Sequence, residues 1–187
     1  MESDRGLAVL YSDAEYSAGK PSGYGWVAFL PGQKPRGGSG IIPATVAALF
    51  EERQTQIHIA EVLAAVSALF TLREDLASLR VLHFIDNQGA LANLISGTTV
   101  ALDVGAAVLM YHLMAVSAGI SAWFEYVESD LNCADGPSRM LSEFSSTDLA
   151  AEFGITMVTA QLPELAPLFA APATTVEEMF ALVRPMI

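Results

Sequence analysis

The chain has 187 residues and a net charge of −12, with only two lysines, Lys20 and Lys34. Its 52% hydrophobic and 16% charged content excludes a disordered chain and suits one domain with a sizeable core. A single cysteine, Cys133, excludes a disulfide framework and a Cys-rich zinc site, and the acidity is unlike that of proteins that grip nucleic acid through their own phosphate contacts.

The N-terminal "MESDRG" carries charges where a signal peptide would carry its apolar core, which predicts an intracellular chain, in cytoplasm or nucleus. "LAVLYSD", 7–13, reads as a strand ending on Asp13. "GYGWVAFL", 23–30, reads as its hairpin partner, and the turn-rich 31–40 leaves room for a short third strand at 40–42. Residues 57–72 read as a helix with a wide apolar face. "RVLHFI", 80–85, is apolar on both parities, as expected of a strand covered on both sides. A short helix, 88–95, and a longer one, 101–118, come next, and "SAWFEYV", 121–127, is the fifth strand. "NCADGPSRML", 132–141, opens a last helix, with Pro137 suited to its first turn.

The stretch Val104–Phe124 holds no Asp, Glu, Lys or Arg, and about 20 such residues could cross a bilayer. His112 in its middle and the break at Gly119 favour a buried helix, a turn and a buried strand instead, and no membrane partner. Beyond about Phe144, "DLAAEFGI" and "TVEEMFALVRPM" have helical patterns separated by prolines. The order is β-β-β-α-β-α-α-β-α: an α/β fold with a five-stranded mixed sheet flanked by helices, formed by residues 1–143, with 144–187 as a C-terminal extension.

Four acids occupy places where chemistry gathers. Asp13 and Asp86 each end a strand, and a right-handed crossover would set those strands side by side and parallel, so that the carboxylates stand at adjacent carboxyl ends. Glu61 lies in the apolar "IAEVLAA", where a lone buried acid is expensive unless it faces a site. Asp135 begins the helix after the last strand. Singly, Asp13 suits a turn, Asp86 a helix cap and Asp135 a helix N-terminus. Together, with no basic residue among them, they would repel unless a hard cation neutralised them.

This series resembles the ribonuclease H family. Asp13 on the first strand with "GYGW" opening the second, Glu61 in a helix, "IDNQGAL" after the fourth strand and "N-x-x-D" leading the last helix follow that family's order. "YVESDLNCADGPSR" is phrased most like the RNase H-like domains of retroelement reverse transcriptases, and the resemblance spans residues 7 to about 142. It implies an RNase H-like fold and a metal-dependent endoribonuclease that hydrolyses the RNA strand of RNA/DNA hybrids with two Mg²⁺ ions, Mn²⁺ serving as substitute. It also implies roles. Asp13 would bridge the metals, Asp86 would hold the one that activates water, and Glu61 and Asp135 would complete the set, with Glu61 near the 2′-hydroxyl that marks RNA. Asn87, Gln88, Asn132 and Arg139 are candidates for substrate contact.

Two departures from the family stand out. The loop before the last acid, "ESDLN", lacks the His that many members carry. Between Asp86 and Asp135 there is no Lys or Arg, so nothing matches the basic protrusion that grips the hybrid. Weak hybrid binding by the chain itself follows, with a polymerase domain or another protein partner supplying the grip. The alternative is a catalytically weak or inactive RNase H-like module in a larger assembly, and a DNA-cutting or strand-transfer enzyme of the same fold ranks third. His58 could reach the site from one turn before Glu61, or be a satisfied core or surface histidine.

Overall fold

The computed structural model describes residues 5–17, 19–139 and 154–166, together with 169, 178 and 181. Its framework is a mixed sheet in the order β5-β4-β1-β2-β3-β6. β1 (Leu7–Glu15), β2 (Gly23–Phe29) and β3 (Arg36–Ile41) form an antiparallel meander. β4 (Arg80–Ile85) and β5 (Ser121–Tyr126) extend it parallel to β1. Among the described residues there are six strands where the sequence suggested five; the sixth, β6 (Thr156–Thr159), runs parallel to β3 at the far edge.

Among the described residues the helices include α1 (Ala44–Ala47), α2 (Ile57–Thr71), α3 (Arg73–Leu76), α4 (Gln88–Ser96), α5 (Leu102–Ser117) and α6 (Asp135–Ser138). α2 is the centre of the molecule. Every residue from Ile59 to Leu69 is buried, because the helix has the sheet on one side and α5 on the other. That explains a sequence apolar nearly all round. The core beneath it joins Leu10, Trp26 and Ile85 of the strands to Leu63 and Val66 of α2 and Val108 and Met110 of α5. α5 is the buried helix expected from the charge-free stretch, whereas β5, an edge strand, buries only Phe124 and leaves Trp123 exposed where a buried strand was expected; among the described residues no helix is long and apolar enough to cross a membrane.

β3 begins at Arg36, four residues before the sequence suggested. The Gly-rich "RGGSG" reads as a turn because it lacks β-formers. It is strand because the large rings of β2 need bare backbone opposite them. A β-carbon on Gly38 would collide with the Trp26 indole, and one on Gly40 would strike the Tyr24 ring. Of the patterns expected beyond Arg139, residues 148–153 and most of 175–186 lie outside the described residues.

The second face of the sheet is also apolar. Tyr11 stacks on Phe84 with ring centroids 4.8 Å apart, and Phe29 meets Tyr11 edge-on. α6 lies across this face at the β1–β2 end, against Gly23 and Gly25.

Candidate active site

Three elements bring carboxylates to one point. Asp13 lies two residues before the end of β1, opposite Gly25 of β2. Asp86 follows the last residue of β4, the strand hydrogen-bonded to β1. Glu61 projects from the fifth residue of α2, the helix that joins the meander to β4. Asp13, Glu61 and Asp86 each offer an oxygen within 4.8 Å of the others, and Asp13 and Glu61 are buried.

The electrostatics of this group are those of carboxyls kept from water and held close to one another. Burial, then the fields of Asp86 and Asp135, push Asp13 up to about 7, against a lowering by the Ser138 hydroxyl that donates to its carboxylate. Burial, then the charges of Asp13 and Asp86, push Glu61 up to about 10. One Glu61 oxygen is steadied by the backbone of Ala14, while Oε2 is buried with no hydrogen-bond partner among the described residues. A buried oxygen without a partner, on a side chain that meets two other carboxylates, is the surrounding that a hard divalent cation satisfies, so the donor set fits such an ion.

Asp135 stands beside the three and not inside the cluster. It starts α6, and its carboxyl is raised by burial and by the field of Asp86, against the Arg139 guanidinium that holds it at 2.6 Å. Arg139 is thus committed to an acid of the site. Asn87 is the N-cap of α4, its side chain accepting from the Ala90 N–H at 3.0 Å, while Gln88 is exposed in the first turn. Asn132 is turned inward. Its amide donates to the Ser12 carbonyl at 3.0 Å and its Oδ1 accepts from the Ala134 N–H at 3.1 Å. It therefore ties the segment that carries Asp135 to the strand that carries Asp13.

His58 does not reach the carboxylates. Its Nε2 is 3.0 Å from the Asn93 amide, and burial lowers its pKa, so it joins α2 to α4. Cys133 is half-buried with its thiol pushed up to about 12, chiefly by burial. Ser138, absent from the candidates drawn from the sequence, is the residue that bonds Asp13. Its signal was weak: a small hydroxyl three residues after the acid on a helix that begins "DGPS".

No family model matches this chain, and no curated protein matches it. Solved structures do. RNase H1 from the halophilic archaeon Halobacterium salinarum NRC-1 shares 19% identity at a TM-score of 0.58, the match covering 72% of this chain and 96% of that one. The N-terminal RNase H domain of rv2228c from Mycobacterium tuberculosis, solved fused to maltose-binding protein, shares 16% at 0.55, over 78% and 96%. LC11 RNase H1, solved in complex with an RNA/DNA hybrid, shares 15% at 0.56, over 70% and 92%. The chain has the fold of these proteins, an α/β mixed sheet with helices packed on it.

Proposed function

We propose that this chain is a divalent-metal-dependent endoribonuclease that hydrolyses the RNA strand of RNA/DNA hybrids. The observation that carries the proposal is the meeting of Asp13, Glu61 and Asp86, with Glu61 Oε2 left unpartnered among the described residues. Support comes from the fold it shares with RNase H1 proteins, one of them solved on a hybrid.

In this reading Asp13, Glu61, Asp86 and Asp135 hold two Mg²⁺ ions, or Mn²⁺ in their place. When bound, such ions supply electrostatic stabilisation of the attacking and leaving oxygens of an in-line displacement. The protein's part is to assemble and hold the acids. Asp13 and Asp86 each come one residue after the last pair of the parallel β1–β4 ladder, Ser12 and Ile85, so backbone hydrogen bonds set where the two acids stand. Ser138 fixes the rotamer of Asp13 through its hydroxyl. Buried α2 holds Glu61 rigidly, the apolar packing around it keeping the carboxyl from bulk water until a cation takes up its charge.

The phrasing of "YVESDLNCADGPSR" supports a finer proposal: the domain is part of, or descends from, a retroelement reverse transcriptase and works in the cytoplasm or nucleus, with a polymerase domain or other basic partner adding grip. The division at residue 143 belongs to the same proposal; in it the extension contributes the edge strand β6. A second reading, a weakly active or inactive architectural module, is favoured by one observation. Asp130 and Glu15 add their negative fields to that of Asp86 at Asp135, a setting that repels phosphates.

The test is incubation of the purified chain with a labelled RNA/DNA hybrid, with Mg²⁺ or with EDTA. We expect metal-dependent cutting of the RNA strand and none in Asp86→Asn, which keeps shape and removes charge. Equal cutting by Asp86→Asn would overturn the site. No cutting by the parent, with Mg²⁺ still binding, would move the architectural reading to first place.

A further inference from the structure

Behind the carboxylates, on the inner face of the sheet, three polar side chains are wholly buried in the apolar core. His83 of β4 lies with Nε2 2.9 Å from Ser12 Oγ of β1 and Nδ1 3.1 Å from the Tyr111 hydroxyl of α5. All three are at 0% exposure, and Phe124 of β5 packs on both rings. Burial pushes the imidazole down to about 3, so it is neutral, with one nitrogen donating and the other accepting. The chain of bonds therefore runs one way, and each of the three side chains has a hydrogen-bond partner. It has no access to solvent or to a ligand, so it is no nucleophilic triad despite its composition.

A Leu or Phe at these positions would fill the core without a polar group to satisfy. What polar groups add is placement, because hydrogen bonds fix angle and distance where apolar contact tolerates slip. The placement falls on the acids. Ser12 precedes Asp13, and its carbonyl takes the Asn132 amide that anchors the Asp135 segment. His83 is three residues before Asp86 on the neighbouring strand. One network thus spans the strands of Asp13 and Asp86, the segment of Asp135, and α5, which packs on the α2 that bears Glu61.

We infer that Ser12, His83 and Tyr111 are positioning residues that set the spacing of the carboxylate cluster, and that the network determines divalent-cation affinity and turnover while contributing little to overall stability. The inference rests on the metal-dependent reading of the site.

The experiment compares the parent chain with the triple variant Ser12→Ala, His83→Phe, Tyr111→Phe. Replacing every partner leaves no orphaned polar group, so the variant should fold and melt within about 4 °C of the parent in EDTA. Calorimetric titration with MnCl₂ should show cation affinity weakened about tenfold, and hybrid cleavage should show kcat down about 10–100-fold with KM unchanged, since small misplacements at a reacting centre are costly. His83→Gln, whose amide can serve both neighbours, should recover most of the affinity. A folded triple variant with the parent's Mn²⁺ affinity and kcat would overturn the inference and leave the network a packing feature. Should the triple variant fail to fold, stability does depend on the network and the inference as stated is overturned. A parent that binds Mn²⁺ but cuts no hybrid sinks the ribonuclease reading alone, and the Mn²⁺ comparison still decides the network. A parent that binds no Mn²⁺ removes both.

Discussion

Asp13 and Glu61 are acids that the fold would rather keep protonated, and this has a definite sign. Their ordinary values of 3.8 and 4.5 rise to about 7 and about 10, so the folded chain retains protons that the unfolded chain releases. Stability without metal must then fall as pH rises through that interval. His83 works the other way below its ordinary 6.5, where the unfolded chain gains a proton that the buried ring refuses. The window from pH 6.5 to 8.5 therefore isolates the carboxyls. In EDTA the melting temperature should decline across it, and Asp13→Asn should decline less and melt about 2–8 °C higher at pH 8. A flat parent profile, or a variant no more stable than the parent, would show that the acids do not burden one another. Glu61→Gln gives a sharper case. A Glu61 that is already neutral at pH 7 loses nothing by amidation, and the new amide can donate to Asp13 or Asp86. We expect a melting temperature in EDTA equal to or above the parent's, together with loss of the Mg²⁺ response; a drop of many degrees would mean Glu61 was ionised in the folded chain.

Elements differed in how plainly their residues announced them. β1, β2, α2, β4, α4, α5 and β5 could be read because alternation, apolar runs and helical spacing each had a single structural solution, and the order of Asp13, Glu61, Asp86 and Asp135 came with them. Only the end of β3 could be read, at 40–42, and its start at Arg36 could not, since its glycines answer to Trp26 and Tyr24 across the sheet and not to any local preference. β6 is a four-residue strand whose identity depends on β3 being its neighbour. α1 and α3, four residues each, are too short for a periodic signal. Ser138 escaped for a similar reason, and Asn132 was singled out for substrate contact while its bond to β1 went unread: a polar residue that bonds a distant strand looks like any loop or helix polar. α6 offers a test at this scale. It sits against Gly25, where an added β-carbon would run into the backbone of Pro137 and Ser138. Gly25→Ala should cost about 1–3 kcal/mol of stability by overpacking and, by displacing Ser138 and Asp135, should blunt the thermal response to Mn²⁺. A variant that responds to Mn²⁺ as the parent does would detach α6 from the site.

At the scale of the molecule, charge decides how a polyanion is met. Nine basic residues face 21 acidic ones. Each phosphate contact contributes about one unit to the slope of log affinity against log salt, so the chain alone should bind hybrid weakly and with a shallow slope. Filter binding from 50 to 200 mM NaCl checks this, and a steep slope would mean a basic surface has been overlooked. The same acids should make Mg²⁺ a stabiliser: a hundredfold excess over its dissociation constant adds about 2.7 kcal/mol, or roughly 5–10 °C, beyond the effect of matched NaCl. One feature of the sheet matters before any of these equilibria are reached. β6 closes the edge left by β3, yet Arg36 pairs with Thr156, 120 residues later in the chain. At a synthesis rate of about 5–20 residues per second, a ribosome delivers the first roughly 6–24 seconds ahead of the second. Throughout that wait the nascent chain carries an open glycine-rich strand edge, which neighbouring nascent chains on the same message carry as well. Slower elongation between the two strands should thus raise the share of chains lost to mispairing on the polysome, although the finished protein is identical, and pulse-labelled soluble yield would show it.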